Sequence, residues 1–268
     1  MTLVEPARGK VRSPARKNER PWRAGAFRRK TTAMTIRPEP LLLVPGMLCD
    51  ARLYGPQLAA LSGLRSLAVP TIAHADTVEA LASGILAEAP PRFALAGLSM
   101  GGIVAMEVVR QAPERVARLA LLDTNPLAET DKVRAAREPQ IEEARTPEGL
   151  EAVIRRDMWP VYLHAESDRQ DLRDLALVMA LAQGPDVFAR QSRALQTRPD
   201  QQETLKGYRG PTLILCGEDD RLCPVKRHTL MHELMPGSTL TIVPGAGHLP
   251  TLETPEAVNA ALAAWLAG

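Results

Sequence analysis

The chain has 268 residues, of which 45% are hydrophobic, so it is long enough to bury a sizeable core. Its three cysteines are too few for a disulfide framework and lack the paired spacing of a zinc site, which favours a cytoplasmic protein over a disulfide-rich secreted one. There is no apolar run of about 18 residues and no apolar stretch typical of a secretory signal, so we expect no membrane partner.

The net charge of +2 conceals a basic segment at the start of the chain. Residues 1–33 hold ten Lys/Arg against two Asp/Glu, a local balance of +8, which leaves −6 for the remaining residues. This segment has three prolines and little apolar periodicity, so residues 1–36 are predicted to be a disordered extension. The alternatives are a functional basic arm or a true start at Met34. The acidic remainder argues against a nucleic-acid partner, and the oligomeric state is left open.

After this segment, short apolar runs alternate with helical patterns, which is typical of a sheet covered by helices on both faces. The strand runs are apolar throughout rather than alternating, as expected for parallel strands buried on two faces. Strands are predicted at residues 41–44, 66–69, 93–96, 119–122, 213–216 and 240–243. Helices are predicted at residues 51–61, 78–89, 100–111, 225–234 and 255–266. The predicted fold class is therefore α/β with a mostly parallel sheet.

Between residues 127 and 209 this alternation stops, and only helical patterns occur. They lie at residues 132–144, 148–161, 168–182 and 186–195. A helical insertion between two strands of such a sheet is most simply a cap over the carboxyl ends of the strands, where these sheets bind ligands. We therefore predict a core formed by residues 37–126 and 210–268, with residues 127–209 as a helical cap.

The motif GLSMG at residues 97–101 lies between a predicted strand and a predicted helix. A serine hydroxyl is a weak nucleophile, so it must be presented at a tight turn, with small neighbours, where a base can reach it. This makes Ser99 the candidate nucleophile; the alternative is a helix N-cap in a glycine-rich crossing. Because Ser99 opens a helix, the N–H of Met100 has no helical partner and is predicted to donate to an oxyanion.

Two later loops complete the pattern. The loop GEDDRLCP at residues 217–224 follows the fifth predicted strand, and GAGHLP at residues 245–250 follows the sixth. With the serine motif, these loops resemble the α/β-hydrolase family from residue 41 to the C-terminus, in which the catalytic residues occur in the order Ser, Asp/Glu, His. The resemblance implies that His248 is the catalytic base and that Asp220 orients it. Asp219 and Asp123 are the alternatives for the acid.

The resemblance also implies a second oxyanion donor in the loop after the first strand, where the backbone N–H of Met47 is the candidate. The chain has Pro45-Gly46 where the family commonly has His-Gly, so a side chain that often braces this loop is missing. The acidic, glycine-containing loop that often follows the second strand, and the paired strands that usually precede the first, are also not evident.

A mostly apolar substrate pocket is predicted, formed largely by the cap. Its candidate residues are Met158, Trp159, Tyr162, Met179, Phe188 and Leu249. The sequence reveals no arginine cluster that would identify a phosphate or carboxylate substrate.

Together these features predict a serine hydrolase that cleaves a small or medium carboxylic ester through an acyl-enzyme, without a cofactor or metal. Thioester, lactone or amide hydrolysis would use the same groups. Acyl transfer, C–C cleavage and perhydrolysis on the same fold are further alternatives. A non-catalytic ligand-binding protein is the third class of function. The absence of one of the three catalytic residues, Ser, His or Asp, would indicate this class.

Overall fold

Six parallel strands form one sheet in the order β2-β1-β3-β4-β5-β6. The computed structural model describes residues 38–268 and, before them, Thr2 alone, so the predicted basic extension lies outside the described residues. The strands are β1 (Leu41–Val44), β2 (Leu67–Ala68), β3 (Phe93–Leu98), β4 (Val116–Leu122), β5 (Thr212–Gly217) and β6 (Thr239–Val243). The predicted α/β class and parallel sheet are therefore confirmed.

Helices connect the strands and cover both faces of the sheet. They are α1 (Gly55–Leu61), α2 (Val78–Glu88), α3 (Met100–Gln111), α4 (Asp131–Glu143), α5 (Pro147–Val153), α6 (Trp159–Tyr162), α7 (Gln170–Gln183), α8 (Pro185–Thr197), α9 (Gln202–Gly207), α10 (Val225–Leu234), α11 (Pro250–Glu253) and α12 (Pro255–Ala267). Within residues 38–268, no helix is long and apolar enough to cross a membrane.

The central strands are buried on both faces, which explains their uninterrupted apolar sequences. In β3, Phe93 and Leu95 belong to one core cluster, whereas Ala94, Ala96 and Leu98 belong to the other. Helices α2, α3 and α10 contribute to the first cluster, and α1 and α12 to the second. This alternation follows from the two-residue period of a strand, which sends successive side chains to opposite faces of the sheet.

The segment between β4 and β5 contains α4 to α9 and no strand, as the helical patterns predicted. The predicted helix at residues 148–161 is divided into α5, a π-helical turn (Ile154–Met158) and α6. Pro160 lies in the first turn of α6. Its missing N–H removes one regular i→i−4 hydrogen bond, and the helical path continues through the π-helical turn, in which the N–H of Trp159 donates to the carbonyl of Ile154. Helices α9 and α11 are short additions that the sequence patterns did not predict.

The parallel arrangement also determines where chemistry can occur. Because all six strands run in one direction, the loops after β1, β3, β5 and β6 emerge at the same edge of the sheet. These are the loops that contain the candidate oxyanion, nucleophile, acid and base residues.

Candidate active site

Ser99 lies in the sharp turn between β3 and α3, with its backbone in the left-handed region at φ +56°. This conformation is strained for a residue with a side chain. The two glycines of the motif allow it by close backbone approach: a Cβ on Gly97 would collide with the carbonyl of Gly101, and one on Gly101 would collide with that of Val44. The turn therefore presents the half-buried Ser99 hydroxyl beyond the end of β3.

A chain of hydrogen bonds connects Ser99 to two buried residues from distant parts of the sequence. The Nε2 atom of His248 lies 2.9 Å from Oγ of Ser99, and its Nδ1 atom lies 2.9 Å from Oδ2 of Asp220. Oδ1 of Asp220 accepts the N–H groups of Leu222 and Cys223 at 2.9 and 2.8 Å. The structure thus brings together the three residues that the sequence assigned to nucleophile, base and orienting acid.

The environment of Asp220 keeps its carboxyl group ionised. Burial alone would raise the pKa of Asp220, but the charge and hydrogen bond of His248 and the two loop N–H groups outweigh it. The net effect is a pKa below the ordinary value. A carboxylate in this position fixes the imidazole with Nδ1 protonated, which leaves Nε2 free to accept the serine proton.

The two alternative acids occupy other positions. Oδ2 of Asp219 accepts the N–H of Ala165 at 2.6 Å, so this carboxylate faces the helical segment rather than His248. Asp123 is fully buried after β4, where its Oδ1 accepts the N–H of Gly217 at 2.8 Å. Neither carboxylate is hydrogen-bonded to His248 among the described residues.

The two candidate oxyanion donors lie beside Ser99. Met47 and Met100 line the same cavity as Ser99, and a Cβ on Gly46 would lie 3.6 Å from Cβ of Ser99. Within residues 38–268, neither the N–H of Met47 nor that of Met100 is hydrogen-bonded to a protein acceptor. Both are therefore available to a negatively charged oxygen near the serine.

The loop that contains Met47 is held by a residue that the sequence did not single out. Oε1 of Gln191 accepts the N–H of Leu48 at 2.8 Å, and its Nε2 donates to the carbonyl of Ile72 at 3.1 Å. Gln191 is buried on α8 and thus braces the loop in which Pro45 replaces the usual histidine. The contact joins residues 143 positions apart, so no local sequence signal could have revealed it.

Ser99 opens into a cavity of about 710 Å³ between the sheet edge and the helical segment. Of the six predicted pocket residues, Met158 and Tyr162 line it. The other four lie elsewhere: Met179, Phe188 and Leu249 are buried in the two core clusters, and Trp159 lies beneath the guanidinium of Arg155 at 4.3 Å. Helical periodicity alone could not separate a pocket wall from a packed core.

The model of the alpha/beta hydrolase family matches residues 21–261. The chain belongs to the alpha/beta hydrolase family. The hydrolase is 30% identical over 193 residues to a pimeloyl-(acyl-carrier protein) methyl ester esterase of Salmonella agona (strain SL483), which covers 70% of this chain and 75% of that enzyme.

Solved structures support the same relationship. The hydrolase resembles a thermophilic esterase from Thermogutta terrifontis with a TM-score of 0.77 and 28% identity, over 85% of this chain and 89% of that one. An enol-lactonase from Burkholderia xenovorans LB400 shares the fold at a TM-score of 0.76 and 20% identity, over 86% and 92% of the two chains. Family membership and the esterase relatives confirm the predicted class, a serine hydrolase that acts on esters.

One group of side chains in the hydrolase has the spacing of metal ligands. Atoms of Asp220, Cys223 and His248 lie within 4.8 Å of one another. However, Asp220 and His248 already bond each other, and burial, with the charge of Asp220, raises the pKa of the Cys223 thiol well above its usual range. A neutral thiol is a poor metal ligand and a poor nucleophile, so this group fits hydroxyl activation better than metal binding.

Proposed function

We propose that the hydrolase cleaves small or medium carboxylic esters through an acyl-enzyme on Ser99, with His248 as base and Asp220 as its orienting acid. The observation that carries the proposal is the unbroken chain from Oγ of Ser99 through His248 to Asp220, at 2.9 Å for each step, on the wall of a cavity. These distances lie within the range needed for proton transfer to a general base.

The geometry supports the following order of bond formation and cleavage. As Oγ of Ser99 bonds to the ester carbonyl carbon, Nε2 of His248 takes the hydroxyl proton, and the carbonyl oxygen becomes an oxyanion. Collapse of this tetrahedral intermediate breaks the bond to the alcohol oxygen, and the alcohol leaves with the proton from His248. The oxygen of a water molecule then bonds to the acyl carbon while His248 takes a proton from that water. Collapse of the second tetrahedral intermediate returns the proton to Oγ of Ser99, releases the acid and restores the enzyme. The net reaction is ester plus water to acid plus alcohol.

The N–H groups of Met47 and Met100 are proposed to hold the oxyanion. Their position beside Ser99 and their lack of a protein acceptor within residues 38–268 support this role. Each such donor contributes about 3 to 4 kcal/mol of transition-state stabilisation in known serine hydrolases.

We further propose that residues 127–209 act as a cap that shapes the substrate site. The backbone N–H of His248 donates to the carbonyl of Tyr162 at 2.9 Å, and the two rings lie 5.9 Å apart. This segment therefore holds the base as well as lining the cavity.

A panel of 4-nitrophenyl and methyl esters of increasing acyl length, with thioesters and lactones, tests the proposed reaction. We expect hydrolysis of esters and a loss of at least about 10⁴-fold in kcat in Ser99→Ala. Ser83→Ala serves as the matched control, because Ser83 is on the exposed side of α2 and, within residues 38–268, its hydroxyl bonds only Glu79 and Gln111. Release of an acyl group to an added alcohol in preference to water would instead favour the acyl-transfer alternative.

A further inference from the structure

The cavity that contains Ser99 has both apolar and strongly cationic lining residues. Met47, Met100, Ile103 and Met158 are among the apolar ones. Its cationic lining residues are Lys132, Arg137, Arg198, Lys226 and Arg227, against the two carboxylates Glu129 and Asp157. Five cations and two carboxylates leave a formal excess of three positive charges in the lining of a substrate-sized cavity.

Both carboxylates are already engaged. Glu129, whose side chain is 2% exposed, accepts Nε of Arg137 at 2.9 Å and Nη2 at 2.5 Å. Asp157 accepts Nε of Arg156 and the amide of Gln140, each at 2.9 Å. These ion pairs neutralise Arg137 and both lining carboxylates, so no unpaired carboxylate of the lining balances the other lining cations.

Arg198 is left without an ion pair of hydrogen-bonding length. Its side chain is 10% exposed, its Nε donates to the carbonyl of Leu127 at 3.0 Å, and its Nη1 lies 3.9 Å from Glu129. Within residues 38–268, its terminal nitrogens have no hydrogen-bond acceptor, and no carboxylate lies within 4.0 Å of the charged groups of Lys226 or Arg227. A largely buried guanidinium with unsatisfied donors, in a residue that lines a cavity, is well suited to bind a carboxylate or a phosphate.

The surroundings of Arg198 disfavour its charge in the absence of an anion. Burial lowers its pKa, and the positive charges of Arg137 and Arg227 add to that effect, against the single opposing carboxylate of Glu129. Arginine does not lose its proton in proteins, so the cost is borne as desolvation and repulsion between like charges. An oxyanion placed between Arg198 and Arg227 would relieve both.

We propose that Arg198 and Arg227 bind an anionic oxygen group of the substrate, a carboxylate or a phosphate, so that the enzyme prefers esters whose acyl part carries a second, charged end. This inference rests on the proposed ester hydrolysis at Ser99. Arg137, Arg198 and Arg227 come from α4, the end of α8 and α10, and only the folded chain brings them to one cavity.

Two ester substrates of equal chain length distinguish the effect of substrate charge on kcat/KM from the effect of substrate size. Monomethyl adipate has a free carboxylate where methyl hexanoate has a methyl group. We expect kcat/KM for monomethyl adipate to exceed that for methyl hexanoate by about 10-fold or more, and the ratio to fall by about 10-fold in Arg198→Gln and in Arg227→Gln. Arg227 is half-buried, so its variant remains informative where loss of Arg198 disturbs folding. The matched control is Arg145→Gln, which removes an arginine paired with exposed Glu142 and leaves the cavity wall intact.

Two competitors identify the anion. Stronger competitive inhibition by adipate than by inorganic phosphate assigns the site to a carboxylate, and the reverse order assigns it to a phosphate. Equal kcat/KM for the two esters, or a ratio that both arginine variants leave unchanged, overturns the inference while leaving ester hydrolysis intact. Failure to hydrolyse any ester of the panel instead rejects the proposed function.

Discussion

The carboxyl group of Asp123 accepts the backbone N–H of Gly217 at 2.8 Å, and it therefore joins the end of β4 to the end of β5. Burial, followed by the charge of nearby Asp220, raises the pKa of Asp123 well above its usual range, which favours the protonated form of this group. A neutral acid cannot stabilise an imidazolium on His248. The surroundings of the two carboxyl groups thus favour the ionised form of Asp220 and the protonated form of Asp123.

This difference predicts different effects for two equivalent substitutions. Asp220→Asn removes the charge that orients His248, and kcat should fall by about 10⁴-fold. Asp123→Asn supplies a neutral group of nearly equal shape, the form that the raised pKa of Asp123 favours, so kcat should change by less than about 10-fold. Steady-state kinetics on one ester compare the two variants, with circular dichroism to verify folding. A large loss in Asp123→Asn with little loss in Asp220→Asn would transfer the role of the acid to Asp123.

His228 gives the protein a pH-dependent stability. Its Nε2 accepts the N–H of Thr124 at 3.1 Å, and burial lowers its pKa to about 4. The unfolded chain has the ordinary pKa near 6.5, so between these values it binds more protons than the folded state. The contribution of His228 to stability is thus complete above about pH 6.5 and declines as the pH falls towards about 4.

Urea unfolding of the wild type and of His228→Gln measures this effect. The decrease in the free energy of unfolding from about pH 7.5 to about pH 5 should be smaller in the variant by about 2 kcal/mol, because glutamine can accept the same N–H without titrating. His232→Gln is the matched control, since His232 lies on the same helix and is only partly buried. Equal decreases in the wild type and in His228→Gln would show that His228 is not the responsible group.

The proposed oxyanion donors are the backbone N–H groups of Met47 and Met100, so their side chains should have little effect on kcat. Met47→Leu and Met100→Leu keep the N–H groups and nearly the same side-chain volume. We expect kcat within about 10-fold of the wild type for both, far from the 10²–10³-fold loss typical of a missing oxyanion donor. A loss of that larger size in a folded variant would contradict the assignment of the backbone groups.

Two glycines near Ser99 should respond differently to an added methyl group. A Cβ on Gly101 would collide with the carbonyl of Val44, whereas one on Gly46 would make ordinary contacts at 3.5 Å or more. We therefore expect Gly101→Ala to lower the free energy of unfolding by about 1 to 3 kcal/mol and Gly46→Ala to change it by less than about 1 kcal/mol. Denaturant titrations measure the free energies of unfolding of the two variants. Equal values for Gly101→Ala and Gly46→Ala would show that the turn accommodates the added carbon.

The parts of the structure that depend on local sequence were predictable. The apolar strand runs and the glycine spacing around Ser99 determine a strand, a strained turn and a helix within a few residues. The loops of Asp220 and His248 were recognised by their resemblance to a family pattern. Their convergence follows from the parallel sheet, which places successive strand ends along one edge.

The parts that depend on distant contacts were not predictable. Gln191 and the arginines at 198 and 227 have no local signal, because their roles arise only when helices of the insertion and of the core approach each other. The raised pKa of Asp123 likewise depends on burial and on the nearby charge of Asp220. Trp159, Met179 and Phe188 were predicted to line the pocket but do not line the cavity. The sequence pattern of an apolar residue on a helix is the same whether the residue packs in a core or lines a pocket.

The proposed mechanism depends on the hydroxyl of Ser99 as the activated nucleophile. A fluorophosphonate probe followed by peptide mass spectrometry tests this directly, because the probe phosphonylates an activated serine. We expect one modified residue, Ser99, with labelling abolished in Ser99→Ala and strongly slowed in His248→Ala. Labelling at another residue, or undiminished labelling of Ser99→Ala, would contradict it.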